Sequence, residues 1–430
     1  MDNASQTAIL KAVDAVFDRE IAFLSELTSH ASTRGQEQSA QDFMAGELGS
    51  RGYEVDRWTI DVNDISTMPG FSPVIGSYDD AVNVVATHRP TNAKGKSLIL
   101  NGHVDVVPEG PLDMWQTPPY APRVDDGWMY GRGAGDMKAG LASNLFALDA
   151  LRHIGFAPAA QVHIQSVVEE ECTGNGALAC LQRGYRADAA LIPEPFSEEL
   201  MTAQVGVLWF QVHLKGIPTH VAYAGSGSNA IEAAIPLIDA LHKMEARWNL
   251  KENRHPEYCN HDHALNLNIG KIEGGDWVSS VPAWCVFDVR MGLFPGHDIK
   301  AAKTEIETVL MEAAKTHPFL RNNAPEIIYH GFEAEGYALA EDKRPVAAEA
   351  ISTLETAHHT VTGEALNRLA STATTDGRFF GLYAGIPALV YGPRAEAIHG
   401  FNERVELESI RRVTQTTALF IANWCGLEEI

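Results

Sequence analysis

A change of texture partway along the chain constrains its fold more than any other feature. Up to about residue 204 the sequence alternates extended, β-branched runs with helical periodicity. From about Val205 it switches to long alternating strands around two helices, and the first texture returns near Arg344. A chain that leaves a pattern and later resumes it is expected to fold as one domain interrupted by another. Extended runs at 53–58, 82–88 and 97–100 follow a helical segment marked by Ile9, Val13, Phe17 and Ile21. Further strands are expected at 162–168 and 189–192, after a helix bearing Leu141, Leu145 and Leu148. Strands separated by helices favour a largely parallel sheet with helices flanking it. The interrupting block predicts strands at 207–215, 264–272 and 283–291 with helices at 229–245 and 297–314, an α+β pattern. A helix over 344–358, an apolar strand at 388–391 and a last helix from Glu406 restore the earlier pattern. The expected fold class is therefore α/β, with residues 1–203 and 339–430 forming one domain and 204–338 an inserted α+β unit.

Composition narrows the function. With 430 residues, 45% hydrophobic and 21% charged, the chain has the balance of an ordinary globular protein, which excludes wholesale disorder, a fibrous repeat or a coiled coil. A formal charge of -23 repels nucleic acid phosphates and anionic lipid, so neither is an expected partner. No run approaches the roughly 20 apolar residues of a membrane span. The acidic start (Asp2, Asp14, Asp18, Glu20) lacks the basic region of a signal peptide, so the mature chain is expected to begin near Met1. Five cysteines without a CxxC pair point to a reducing cytoplasm rather than a disulfide framework.

The chemistry lies at the ends of the predicted strands. In the run ending HVDVVP (103–108), His103 and Asp105 are two apart on a strand and project from the same face near its C-terminal end, where open α/β sheets place ligands. They suit a metal ligand with its supporting carboxylate, or a histidine simply satisfied at a strand end. The segment GRGAGDMKAG (131–140) is no dinucleotide loop, because GxGxxG would need glycine where Asp136 stands. Asp136 is then a helix N-cap or a carboxylate able to bridge cations. Three consecutive carboxylates, Glu169, Glu170 and Glu171, follow an apolar strand, and Glu194 follows another between two prolines; His399 comes just past a third. Carboxylates at the exits of buried strands are costly unless a cation neutralises them. Asp136, Glu171 and Glu194 carry -3 against +4 for two divalent ions, and Glu170 completes neutrality. This mix of oxygen and imidazole donors suits zinc, cobalt or manganese.

The ordered set HVDVVP, GRGAGDMKAG, EEE with CTGNG, PEP and the late His-Gly resembles the zinc-dependent deacylases and peptidases that include acetylornithine deacetylase, succinyl-diaminopimelate desuccinylase, aminoacylase and glutamate carboxypeptidase. The resemblance runs over nearly the whole chain. It implies a zinc-peptidase-like catalytic domain and a lid and dimerisation domain over 204–338, hence a homodimer or higher oligomer. It also implies two metal ions, most simply zinc, bridged by Asp136, one completed by His103 and Glu194 and the other by Glu171 and His399. Glu170 would be the general base, Asp105 would orient His103, and the Asp136-Met137 bond would be cis. The family order of acid, base and ligand, fixed by the downstream Gly-Asn-Gly, assigns the three glutamates to 169, 170 and 171. In GIPTHVA (216–222), His220 matches a histidine that reaches into the partner subunit's site to stabilise the oxyanion. Arg290 matches an arginine that grips a substrate carboxylate. Gly392 and Ser279 are expected at the substrate, although Ser279 replaces the family's usual asparagine, and Trp277 beside it argues against a narrow acetylornithine or succinyl-diaminopimelate specificity.

The expected activity is hydrolysis of an N-acyl amide of a small, carboxylate-bearing substrate in the cytoplasm. An alternative keeps the metals and changes the substrate to an aromatic one, by deformylation of a formylaminopyrimidine or hydrolytic deamination of an aminobenzoate, with Trp209, Trp277 and Trp284 as candidate ring contacts. An inactive scaffold on the same fold is a third reading, opposed by the retention of Glu170. The pair His261 and His263 reads as a solvated loop.

Overall fold

The computed structural model describes residues 2–339 and 345–430. The first helix, Asn3–Ser29, starts where Asp2 accepts a hydrogen bond from the Ser5 N–H at 2.9 Å, and it buries Ile9, Val13, Val16 and Leu24. That apolar stripe packs on Ala139–His153, a helix buried along almost its whole length, which also meets the last helix, Leu407–Trp424. A helix buried on nearly every side belongs inside a layered fold, and this one lies against the strand Leu98–His103.

The main sheet runs Glu54–Thr59, Val82–His88, Val162–Val167, Leu98–His103, Ala189–Ile192, Ala388–Val390, Leu200–Gln204 and Tyr337–Ala338, with Arg368–Ser371 paired alongside Leu200–Gln204. Its four central strands, from Val162–Val167 to Ala388–Val390, are parallel, and antiparallel partners extend both flanks. The central runs are buried at every position, which is why they read as continuous apolar stretches in sequence. This is the α/β architecture with a central, mostly parallel sheet flanked by helices that the alternation predicts.

A second sheet, Leu267–Gly274, Trp284–Leu293, Gly206–Lys215 and Glu326–Ala334, is wholly antiparallel. Leu208, Phe210, Val212 and Leu214 point one way, into a separate core with the helices Ala230–Trp248 and Ile299–Thr316. Trp209, Gln211 and His213 point the other way, as period-2 alternation requires.

Several strands escape the sequence reading, among them Leu200–Gln204, Glu326–Ala334, Tyr337–Ala338 and Arg368–Ser371. Leu200–Gln204 is short, and Glu326–Ala334 is interrupted by Gly331 at φ +63°, where a Cβ would sit 2.7 Å from Trp209. The helix expected over 344–358 begins at Pro345 within the described residues; Arg344 and Met1 lie outside them. Among the described residues no helix is long and apolar enough to cross a membrane.

Candidate active site

Parallel strands that lie side by side end on one edge of the sheet, and here each end delivers a chemical group. His103 is the last residue of its strand. Val162–Val167 runs on to Glu170 and Glu171, Ala189–Ile192 runs on to Glu194, and Ala388–Val390 leads into the loop carrying His399. Asp136 enters from the Gly-rich segment and sits between the two imidazoles, its Oδ1 3.3 Å from His103 Nε2 and its Oδ2 3.3 Å from His399 Nε2. Glu194 and Glu170 each come within 3.7 Å of His103 Nε2, while Glu171 lies 3.1 Å from His399 Nε2. All five expected ligands and the expected base therefore converge on one place.

The donor set can hold divalent cations. His103 Nε2 is buried without a hydrogen-bond partner, and single donor atoms of His103, Asp136 and Glu171, and of His103, Glu170 and Glu194, lie within 4.8 Å of one another. The other ring nitrogen of His103 lies 2.9 Å from the Asp105 carbonyl oxygen. That contact, rather than the Asp105 carboxylate at 3.6 Å, turns Nε2 toward the cluster. The carboxylate instead accepts the Glu171 N–H at 3.0 Å, so Asp105 ties two neighbouring strand ends together. Burial opposes charge on both imidazoles. The surrounding carboxylates overcome it, holding His103 protonated well above its ordinary range and His399 up to about 11, chiefly through Glu171 and Asp136. Burial also raises Glu170 and Glu194, well above the usual carboxylate range, against the pull of His103. The carboxylates that raise both imidazoles supply the negative charge that bound divalent cations would neutralise.

Several supporting residues carry no signal that sequence spacing reveals. Glu403, almost fully buried, accepts the N–H groups of Gly135 and Asp136 at 3.0 and 3.1 Å and pairs with Arg132 at 2.6 Å, fixing the turn that presents Asp136. The Asp136-Met137 peptide is cis, as the resemblance implies. Glu169 adopts φ +70° and turns inward, where Tyr78, Thr173 and Arg34 meet its carboxylate at 2.6, 2.9 and 2.8 Å. Anchoring Glu169 leaves Glu170 and Glu171 to face the cleft, which is the register that the family pattern implies. Behind the floor lie Asp376, raised to about 7 by burial against the pull of His103 and Arg378, and Arg378 itself, which donates to the Thr173 carbonyl at 2.9 Å.

The cleft occupies about 530 Å³ between the two sheets. Asp136, Glu170, Glu171, Glu194 and His399 line its floor; Val207, Trp209, Asn268, Arg290 and Phe332 of the second sheet, with Asn266 just ahead of it, line the facing wall, and the Thr372 to Thr375 loop closes one side. Arg290 donates only to the carbonyls of Asn266 and Thr372, at 3.2 and 3.3 Å, and no carboxylate pairs with it among the described residues. Of the three tryptophans considered as ring contacts, only Trp209 reaches the cleft. Trp277 is 70% exposed, and the Trp284 N–H is spent on Asp276 at 3.1 Å.

Three expected residues lie elsewhere. Gly392 is buried behind Glu194, and a Cβ there would sit 2.3 Å from the Glu194 carbonyl oxygen. That close backbone packing requires glycine here, and Gly392 is not among the residues lining the cleft. His220 and Ser279 belong to adjoining exposed turns joined through the His220–Ser280 bridge and the Val221 N–H to Ser279 carbonyl bond, and neither lines the cleft of its own chain. His263 is tied to Glu245 at 2.9 Å and His261 packs on Tyr258, so this pair braces a loop away from the cluster.

The sequence profile described as Peptidase family M20/M25/M40 matches residues 99–423. The N-formyl-4-amino-5-aminomethyl-2-methylpyrimidine deformylase of Halalkalibacterium halodurans is 30% identical over 412 residues, covering 91% of this chain and 90% of that protein. The deformylase of the same name from Bacillus subtilis is 28% identical over 409 residues, covering 90% of each. Among solved structures, the di-peptidase Dug1p from Saccharomyces cerevisiae superposes with a TM-score of 0.79 at 15% identity, over 99% of both chains, a likeness of fold alone. With the fold, the converging carboxylates and imidazoles and this match in view, the chain belongs to Peptidase family M20/M25/M40 and is a metal-dependent hydrolase.

Proposed function

We propose that the enzyme hydrolyses the N-acyl amide of a small substrate whose amine part carries a nitrogen heteroaromatic ring, a compound of the kind named for its two deformylase relatives. The make-up of the cleft carries this reading, with a cation-ready floor at one end and Trp209 packed against Phe332, ring centroids 5.2 Å apart, at the other. His103, Asp136 and Glu194 would hold one ion, and His399, Asp136 and Glu171 a second. Zinc suits the donors best, with cobalt or manganese as alternatives. When bound, the ions supply Lewis acidity at the scissile carbonyl and an acidified water. Glu170 takes the proton from the attacking water and returns it to the leaving nitrogen, which lets the amine depart neutral. Asp105 fixes the His103 ring and the Glu171 backbone.

Residues 204–338 act as the lid, with 1–203 and 339–430 as the catalytic domain. The lid also serves as the dimer interface, supported by the exposed Tyr223, Trp277 and Val278 beside His220 and Ser279. In the dimer His220 would complete the partner's site, which explains why it stands away from its own, and Ser279 would accompany it. The proposed compartment is the cytoplasm, resting on five cysteines that are all free. A second reading, a carboxylate-bearing acyl amino acid, is favoured by the unpaired guanidinium of Arg290.

A panel of N-formyl, N-acetyl and N-succinyl derivatives of aminomethylpyrimidines and of amino acids tests both. Release of the acyl group from the pyrimidines in preference to the amino acids supports the first reading, and the reverse preference rejects it in favour of the second.

A further inference from the structure

The wall facing the metal cluster is built by strand register. Trp209 pairs with Arg290 across neighbouring strands, and Arg290 pairs with Asn268 on the next, so the three side chains form one row across the second sheet. All three line the cleft. At about 4.8 Å between strands the row covers about 10 Å, enough for one substituted six-membered ring. Its chemistry changes along its length, from an indole at one end through a guanidinium to a free amide. Arg290 uses two of its five N–H donors, both on backbone carbonyls, and the Asn268 side chain makes no hydrogen bond within the described chain. Polar groups left unpaired in a binding cleft gain most from a ligand that completes them.

We propose that this row is the subsite for an amino-substituted nitrogen heteroaromatic ring, and that it sets which amine the enzyme accepts. It rests on the reading of the enzyme as a hydrolase of ring-bearing N-acyl amines. Trp209 takes the face of the ring. Asn268 offers an acceptor and a donor side by side, the pattern that matches an exocyclic amino group next to a ring nitrogen, as an asparagine matches adenine. Arg290 donates to a second acceptor on the ring. The acyl arm then points toward Glu170 and the cation ligands at the opposite end of the cleft. A carboxylate would satisfy Arg290 but would leave the Asn268 donor–acceptor pair and the Trp209 face without a role.

Three substrates separate face from edge. N-formyl-4-amino-5-aminomethyl-2-methylpyrimidine has both, N-formylbenzylamine has only the face, and N-formylalanine has neither. The experiment compares kcat/KM for the metal-loaded wild type, Asn268→Ala, Asn268→Asp and Trp209→Leu, with metal content measured in each. Asn268 is exposed, so neither of its substitutions disturbs the core. Replacing it is expected to lower kcat/KM for the pyrimidine at least tenfold more than for the benzylamine, in keeping with one bidentate contact. Asn268→Asp, which keeps the acceptors and loses the donor, should show the same preference. Trp209→Leu should penalise both aromatic substrates at least tenfold more than N-formylalanine. Equal losses on all three substrates, or none, would overturn the subsite. A wild type that cleaves N-formylalanine and neither aromatic amide overturns the functional reading itself, and the subsite with it.

Discussion

The two walls of the cleft are built on opposite principles. The floor gathers its groups from the ends of four parallel strands and a Gly-rich turn, and neighbouring chain grips nearly every one: Asp105 holds the Glu171 backbone, Glu403 the Asp136 backbone, and Tyr78 the glutamate before Glu170. The opposite wall comes from side chains on or beside one face of an antiparallel sheet, where Asn266, Asn268 and Arg290 are only lightly held. Most of the groups proposed to perform the reaction are buried or braced by neighbouring chain, His399 at 53% exposure being the exception, whereas those proposed to select the substrate make few side-chain bonds. Damage to the floor should therefore appear in turnover or metal retention, and damage to the wall in substrate preference.

The largest expected effect is at Glu170. Replacing it with glutamine should lower kcat by about 10²- to 10⁴-fold while both ions stay bound. A variant that turns over normally with full metal content would remove Glu170 from its role. Glu403→Gln should weaken metal affinity by about 10- to 100-fold in a chelator competition, with activity restored by excess metal. Unchanged affinity would show that the Asp136 turn holds itself. On the opposite wall, Arg290→Ala should raise KM and leave kcat nearly intact, and a fall in kcat alone would break the division between the walls.

Glu20 shows what a buried acid does with no imidazole beside it. Fully buried under the helices, it has one oxygen unpaired, and burial pushes its carboxyl up to about 8 against hydrogen bonds from Thr414 and Ser143. The fold therefore prefers its neutral form. The stability it contributes is complete below 4.5, the ordinary glutamate value, and is lost as pH rises through about 8. Urea midpoints of the wild type should decline across that window, and Glu20→Gln should flatten the decline without altering activity at neutral pH. Parallel pH profiles for the two proteins would contradict this.

Much of this was legible in sequence because the chemistry sits where periodicity ends. Apolar runs closing on His103, the Glu169 to Glu171 triplet and Glu194 marked both the strands and their cargo, and the return of the α/β texture near residue 344 announced the insertion. The braces were not legible. Glu403 lies 267 residues from Asp136, and nothing in its local sequence distinguishes it from a surface acid. Gly331 hid a strand by breaking its alternation, and the close packing that requires glycine at position 392 has no signature in the local sequence. The cleft wall needed three strands in register, a relation that no single segment displays.

The central claim is that His103, Asp136, Glu171, Glu194 and His399 converge to hold a pair of divalent ions. Elemental analysis of the purified protein, titrated with a chelator while hydrolysis is followed, tests it directly. The predicted result is two ions per chain, with activity lost as they leave and regained when zinc, cobalt or manganese is returned. Full hydrolysis by metal-free protein would contradict the claim.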